Sequence, residues 1–100
     1  MSKPNPLARD FDFAKVLPEW QVNLDTQELE RVFAFKDFKS AFEFMTLCAD
    51  FAEELDHHPD WSNAWNKVSV RLSTHSLKAL TELDITMACT MDQFALKVSA

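Results

Sequence analysis

The chain has 100 residues, of which 47% are hydrophobic and 12% aromatic, and its formal net charge is −6. Chains of this length build one core, so we expect residues 1–100 to form a single domain. The acidic balance argues against nucleic acid or an anionic membrane as a partner, because phosphate binding depends on clustered Lys and Arg. The absence of glycine excludes the glycine-rich phosphate loops of nucleotide-binding enzymes.

Neither end of the sequence carries a recognisable targeting or membrane segment. The opening "MSKPNPLARDFDF" has no long apolar stretch, and no run of about eighteen apolar residues occurs anywhere. Cys48 and Cys89 lie inside apolar helical patterns, which is typical of free thiols in a reducing compartment. We therefore expect a cytoplasmic protein.

The first third of the chain predicts a loose terminus, a short helix and a hairpin. Residues 1–7 are expected to be loose, and residues 8–17 to form a short helix that ends before Pro18. Apolar and polar residues then alternate over 19–24 and again over 29–35. This alternation predicts two strands, joined by a turn at "DTQE".

A long helix is predicted from Phe38 to about Leu55, where the apolar period lengthens to that of a helix. Asp37 is its expected N-cap, and Asp56 or His57 is expected to form the exit turn. The predicted core stripe comprises Phe38, Ala41, Phe42, Met45, Cys48, Ala49, Ala52 and Leu55. A second apolar stripe, Phe44, Leu47 and Phe51, indicates either a subunit interface or a thick core.

A second hairpin follows, in which "WSNAW" and "KVSVRLST" alternate around a tight "NK" turn. Val68, Val70 and Leu72 are expected to face the core, while Ser69, Arg71 and Ser73 face away. The same parity places His75 on the side of Arg71, at the end of the strand.

The last helix opens with "TELD", in which Thr81 can cap and Asp84 can complete a capping box. Its predicted core stripe is Leu80, Leu83, Met87, Met91, Phe94 and Val98. The order hairpin, helix, hairpin, helix predicts an α+β fold, an antiparallel sheet of about four strands with helices on one face.

All three histidines, His57, His58 and His75, surround the second hairpin. Pro59 keeps His58 out of the helical region, so the two adjacent imidazoles are expected to point in different directions. Three such groups in one cleft can supply an acid and a base at neutral pH. Simpler alternatives exist, because a histidine is also favourable at any helix C-terminus.

The same region could in principle bind a metal ion or a flat ring. Three histidines and a carboxylate can bind zinc, yet the spacing fits neither a helical HxxxH pair nor a zinc finger, so no metal is predicted. Trp61 and Trp65 are expected to share one strand face, where they either stack on a flat heterocycle or cover the core.

The residues of this region resemble the signature of the pterin-4a-carbinolamine dehydratase family. The matching positions are Glu53, His57, His58, Pro59, Trp65, His75 and Asp84. "FKDFKSAFEFMT", "HHPDWSNAWNKVSVRLSTH" and "LTELDI" also resemble family segments, so the resemblance spans roughly residue 17 to the end. Trp20 stands where the family commonly has an aromatic residue. Trp65 departs from the pattern, because many members carry tyrosine there.

The resemblance implies an enzyme that dehydrates 4a-hydroxytetrahydropterin to quinonoid dihydropterin and so recycles the pterin of aromatic amino acid hydroxylases. His57, His58 and His75 would line the pterin site, with no metal or organic cofactor. We hypothesise that His58 and His75 make the main proton transfers, while His57 assists or holds the ring. The sequence does not fix which histidine is the acid and which the base.

Four further residues are candidates for supporting roles or pterin contacts: Glu53, Trp20, Trp61 and Trp65. Glu53 lies one helical turn before His57 and could orient an imidazole. Asp84 is either a helix cap or part of the site. The resemblance also implies a homo-dimer or homo-tetramer. Its alternative is a non-catalytic interaction module, such as a relative that acts as a coactivator of a homeodomain transcription factor.

Overall fold

The structure is a computed structural model that describes residues 5–8 and 10–99. In chain order its elements are α1 (Phe13–Val16), β1 (Gln21–Asn23), β2 (Glu28–Ala34), α2 (Phe38–Leu55), β3 (Asp60–Ala64), β4 (Lys67–Leu72) and α3 (Glu82–Ser99). The predicted elements are all present in these residues. The helix predicted over 8–17 is reduced to the short α1, which does end before Pro18.

The four strands form one antiparallel sheet in the order β1-β2-β4-β3. Along β4 the residues Val68, Val70 and Leu72 are buried while their neighbours are exposed. These three pack with α2 and α3 in the buried core, which leaves the other face of the sheet open. The α+β fold predicted from the sequence is therefore confirmed. Within the described residues no helix is long and apolar enough to cross a membrane.

Both hairpin turns lie one residue earlier than predicted. Residues 24–27 form the first turn, and Trp65 and Asn66 form the second, because Ala64 pairs with Lys67. Asn66 fixes the second turn against the end of β2, since its side chain donates to the Phe35 carbonyl at 2.8 Å.

The core stripe predicted for α2 is confirmed in part, because its small residues are buried while its phenylalanines are not. Phe44 is fully buried, whereas Phe38 and Phe42 are 47% and 55% exposed. The small residues Ala41, Cys48 and Ala52 are buried, and Phe44 lies in the core with them. The second apolar stripe thus belongs largely to a thick core, in which Phe51 packs edge-on against Phe94. Burial raises the pKa of the free Cys48 thiol to about 12.

The segment before α1 is attached to the start of α3. Leu7 donates its N–H to the Leu80 carbonyl at 3.1 Å, and the N–H of Asn5 lies 2.9 Å from a carboxylate oxygen of Glu82. The prediction of a loose terminus is therefore wrong for residues 5–7, because the partly buried Leu7 packs against the core. For residues 1–4 that prediction lies outside the described residues.

The chain leaves α2 through a left-handed residue, Asp56, with φ 53° and ψ 44°. The N–H of His57 donates to the Ala52 carbonyl at 3.1 Å, and the N–H of Asp56 donates to the Glu53 carbonyl at 3.4 Å. These two bonds define a Schellman motif, which glycine usually completes. The prediction that Asp56 or His57 forms the exit turn is confirmed, and the turn sets the direction in which His57 leaves the helix.

We expect Asp56→Gly to raise the free energy of unfolding by about 1 kcal/mol, because glycine adopts the left-handed conformation without a Cβ clash. Asp56→Asn should raise it by about 0.3 to 1 kcal/mol, since it removes a negative charge from the helix C-terminus. Urea unfolding measures both changes.

The matched control is Asp50→Gly, an exposed position inside α2. There the same substitution should lower the free energy of unfolding by about 0.3 kcal/mol, because glycine is a slightly poorer helix former than aspartate. A loss of stability in Asp56→Gly would contradict the proposed cost of the left-handed turn.

Candidate functional site

The three histidines lie at the same end of the sheet. Asp60, the first residue of β3, pairs with Arg71 near the end of β4. The link from α2 to β3 carries His57 and His58, and the segment after β4 carries His75. Antiparallel pairing therefore brings the two histidine-bearing segments to one edge of the molecule, as the predicted second hairpin requires.

His57 points inward and meets the carboxylate of Asp84. Its Nε2 lies 2.6 Å from Asp84 Oδ1, and the side chains are 9% and 0% exposed. The other carboxylate oxygen, Oδ2, accepts from the Thr74 hydroxyl and from the Thr81 N–H, both at 2.9 Å. Every Asp84 oxygen thus has a partner, as a buried carboxylate requires.

Asp84 performs both roles that the sequence left open. It accepts from the Thr81 N–H, while Thr81 Oγ1 accepts from the Leu83 N–H at 3.2 Å, so the start of α3 has the predicted capping box. The same carboxylate holds His57. Capping leaves one carboxylate oxygen available, and that oxygen binds the imidazole.

His58 points outward and pairs with Glu53. Its Nε2 lies 2.5 Å from Glu53 Oε2, and the side chains are 56% and 77% exposed. Glu53 thus contacts His58 and not His57, because the left-handed Asp56 turns His57 away from the helix surface. The two imidazoles do point in different directions. A pair this exposed contributes little to stability.

His75 is exposed on a turn that covers residues 75–78. Thr74 and Ala79 close this turn, since the N–H of Thr74 donates to the Ala79 carbonyl at 3.0 Å. Ser73 and Thr74 are both buried, so the expectation that Ser73 faces away is wrong. Strand pairing ends at Leu72, and the chain then bends inward instead of continuing its alternation.

The structure does not bring Trp20 next to the histidines. Trp20 is buried and donates from Nε1 to Asp92 Oδ1 at 2.8 Å. Arg31 donates to the same oxygen at 2.6 Å. Burial raises the pKa of Asp92, and the hydrogen bond from Trp20 and the charge of Arg31 oppose that rise. Asp92 lies roughly 12 Å beyond Asp84 along α3, since each helical residue adds about 1.5 Å.

The other two tryptophans do not share a strand face. Trp65 occupies the hairpin turn with φ 51° and is 65% exposed. That turn is at the end of β3 opposite to the histidines. Trp61 pairs with Val70 and packs partly against the core, one residue beyond the start of β3. Of the three tryptophans, Trp61 therefore lies nearest to His57 and His58, which immediately precede β3.

Sequence reasoning missed Thr74. The residue is 4% exposed and contacts Asp84 directly. A signal was present, because Thr74 has the same strand parity as the core residues Val70 and Leu72. A polar residue at a position with core parity indicates a buried hydrogen bond.

No group of three or more His, Cys, Asp or Glu side chains in residues 5–8 and 10–99 is arranged to hold a metal ion. A groove of about 600 Å³ crosses the open face of the sheet. It extends from Gln21 on the edge strand β1 to Ser62 on the edge strand β3. Its walls include Glu30 and Arg71, which pair across the central strands, and none of the three histidines.

The sequence and the fold are similar to those of known proteins. The sequence profile of the pterin 4 alpha carbinolamine dehydratase family matches residues 7–94. A Bordetella avium protein provisionally named a pterin-4-alpha-carbinolamine dehydratase is 46% identical over 84 residues, which are 84% of this chain and 78% of the relative. A Sinorhizobium medicae protein with the same provisional name is 51% identical over 76 residues, 76% of this chain and 72% of the relative.

Two solved structures are similar. One is a Brucella melitensis crystal structure, described as a transcriptional coactivator/pterin dehydratase, with a TM-score of 0.82 and 45% identity. The match covers 91% of this chain and 99% of the Brucella chain. The other is a pterin dehydratase-like protein described as a RuBisCO assembly factor in the alpha-carboxysome, with a TM-score of 0.68 and 22% identity. The match covers 80% of this chain and 93% of that protein. The second likeness shows the fold alone.

We expect Asp84→Ala to lower the free energy of unfolding by about 3 to 5 kcal/mol, because it leaves a buried imidazole and a buried hydroxyl without their partner. Asp84→Asn should cost less, since the amide can still accept one hydrogen bond. Urea unfolding measures both. Asp50→Ala, at an exposed position of α2, is the control and should be nearly neutral. Equal effects at positions 84 and 50 would show that the network contributes nothing.

Proposed function

The chain belongs to the pterin 4 alpha carbinolamine dehydratase family, and we propose that it acts as a lyase that dehydrates 4a-hydroxytetrahydropterin to quinonoid dihydropterin and water. The observation that carries this proposal is the meeting of the two histidine-bearing segments at one end of the sheet. There one imidazole is bound to a buried carboxylate and the neighbouring imidazole to an exposed one.

The proposed reaction needs one acid and one base. The C4a–O bond breaks, and the oxygen takes a proton and leaves as water. A ring nitrogen then forms the C=N bond with its lone pair and gives its own proton to a base. Histidine is the side chain best suited to both transfers near neutral pH. A carbinolamine is already reactive, so correct orientation and moderate acid and base catalysis are sufficient.

The environments of the histidines support a division of roles. His58 and His75 are exposed, so each can meet a substrate and exchange its proton with water. His57 is buried and its Nε2 is engaged by Asp84, which leaves only Nδ1 for a substrate. We therefore assign the main proton transfers to His58 and His75, and assistance or ring positioning to His57. Glu53 would orient His58, and Trp61 is the tryptophan best placed to contact the pterin.

We also propose a cellular context for this activity. A dehydratase of this kind would act in the cytoplasm, where it would return the pterin released by an aromatic amino acid hydroxylase. The chain would work as one domain, since the buried apolar residues among those described belong to one cluster.

We propose that the protein is a homo-oligomer, a dimer or a tetramer, and that α2 contributes the interface. The rings of Phe38 and Phe42 are tilted against each other with centroids 5.8 Å apart, and both remain about half exposed. Two adjacent exposed phenylalanines on one helix surface are typical of an interaction patch. This patch replaces the stripe around Phe44, because the core already covers Phe44.

The first test follows the decay of 4a-hydroxytetrahydropterin, generated by a phenylalanine hydroxylase, by ultraviolet absorbance. The wild-type protein should accelerate the decay. His58→Ala and His75→Ala should each lose roughly 10²-fold or more of that acceleration, the usual contribution of a general acid or base. His57→Ala should lose less turnover and show a higher KM, because it removes positioning. Ser76→Ala, on the same exposed turn as His75, is the control and should retain activity.

Two outcomes would contradict the proposal in different ways. Equal small losses for all three histidine variants would remove the assignment of roles and leave the activity in place. A folded wild-type protein without any acceleration would favour the alternative, a non-catalytic interaction module of the same fold. A coactivator would then be the form to examine, since the Brucella melitensis relative at 45% identity is described in part as one.

The oligomer is tested by light scattering coupled to size-exclusion chromatography. Phe42→Glu should shift the wild-type mass toward a smaller species, because it places a charge in the proposed contact. Leu96→Glu is the control, since Leu96 is an exposed apolar residue on α3. It should leave the mass unchanged. A monomeric wild-type protein, or dissociation by Leu96→Glu alone, would contradict the placement of the interface on α2.

A further inference from the structure

Thr74 joins two parts of the candidate site through its backbone and its side chain. It immediately precedes His75, and its carbonyl accepts from the N–H groups of Leu77 at 3.1 Å and Ala79 at 3.4 Å. With the bond from its own N–H to the Ala79 carbonyl, these contacts close the turn that presents His75. Its side chain points the other way, into the protein, and reaches Asp84.

The hydroxyl groups around Asp84 have a fixed direction. Thr74 Oγ1 donates to Asp84 Oδ2 at 2.9 Å. A hydroxyl has one hydrogen, so the 2.7 Å contact between Thr74 Oγ1 and Thr81 Oγ1 requires Thr81 as the donor. Thr81 Oγ1 in turn accepts from the Leu83 N–H. The donors therefore run from the first turn of α3 through Thr81 and Thr74 to the carboxylate.

This direction determines where the proton lies between Asp84 and His57. Oδ2 of Asp84 accepts from the Thr74 hydroxyl and from the Thr81 N–H. Two donors on one oxygen favour the carboxylate form, which can only accept hydrogen bonds. The remaining contact, from His57 Nε2 to Oδ1 at 2.6 Å, then requires a proton on Nε2. The ring nitrogen with a free lone pair in the neutral imidazole is Nδ1.

We propose that Thr74 is a positioning residue of the dehydratase site, which holds the proton of His57 on Nε2 through Asp84 while its backbone holds the His75 turn. The inference rests on the proposed function for its effect on turnover, and it concerns the geometry of two histidines. Loss of the Thr74 hydroxyl removes one of the two donors on Oδ2. With one donor fewer, Asp84 can take up a proton, and the acid form donates from Oδ1 to His57 Nε2. The imidazole then carries its own proton on Nδ1, so fewer molecules present Nδ1 as an acceptor.

The test compares Thr74→Val, which removes the hydroxyl at nearly constant shape, with Thr74→Ser, which keeps it. Thr46→Val is the matched control, because Thr46 is exposed on α2 and its hydroxyl bonds only the Phe42 carbonyl among the described contacts. Long-range ¹H–¹⁵N NMR spectra, recorded where the imidazoles are neutral, report the tautomer of His57 independently of activity. Turnover and KM are measured with the same samples.

The wild-type protein should show His57 protonated on Nε2. Thr74→Val should show a mixture of tautomers and a kcat reduced about tenfold, the effect of losing one hydrogen bond to a charged group. Its KM should change much less. Thr74→Ser should recover the Nε2 form and most of kcat, and Thr46→Val should resemble the wild type in both measurements.

Several results would overturn the proposal. His57 protonated on Nδ1 in the wild type would do so without any variant, so a Thr74→Val that does not fold leaves the test decisive. An unchanged tautomer and kcat in a folded Thr74→Val would do so too. Equal damage in Thr74→Ser and Thr74→Val would show that the hydroxyl alone does not carry the role and that the packing of the whole threonine side chain does. Absence of dehydratase activity in the wild type would refute the proposed function, while the tautomer would still decide whether Thr74 positions His57.

Discussion

The buried carboxylate of Asp84 is the constraint on which the arrangement of the site depends. An ionised group without exposure to water must find all its partners within the protein. Asp84 finds them in three separate segments: His57 after α2, Thr74 after β4 and Thr81 before α3. A shift of any one segment would leave a buried charge without a donor, at a cost of several kcal/mol. The carboxylate therefore selects one relative placement of these segments, which apolar packing alone specifies less strictly.

A chain without glycine must place other residues in left-handed turns. The structure has four such residues among those described: Gln27, Asp56, Trp65 and Lys78. Each costs on the order of 1 kcal/mol, because its Cβ approaches the following carbonyl. Hydrogen bonds compensate. Gln27 accepts from the Leu80 N–H, and the Lys78 N–H donates to the His75 carbonyl. Asp56 and Lys78 border the histidine segments, so the site is held by specific bonds and not by permissive backbone.

The sequence predicted the types of element better than their faces. The change of period at Phe38 and the capping pattern at Thr81 are local signals, and both gave the right structure. Which phenylalanines of α2 enter the core was not predictable, because two apolar stripes overlap on that helix and periodicity does not rank them. Phe42 was consequently expected in the core and is exposed.

The site was predictable only where chain neighbours determine it. Antiparallel pairing of the second hairpin was sufficient to bring the histidines to one end. The choice of carboxylate was not, because the exit angle at Asp56 decides that Glu53 meets His58. Contacts between distant segments, such as Trp20 with Asp92, leave no pattern in the sequence at all.

The pair of adjacent histidines shows the consequence for the proposed chemistry. The N–H of His57 closes the helix, which directs its ring inward to a fixed partner, while Pro59 holds His58 extended toward water. One dipeptide thus supplies a rigid imidazole that can hold a planar ring and a solvent-exposed imidazole that can exchange protons with water. The proposed dehydration, which moves two protons and releases water, would use both kinds of group.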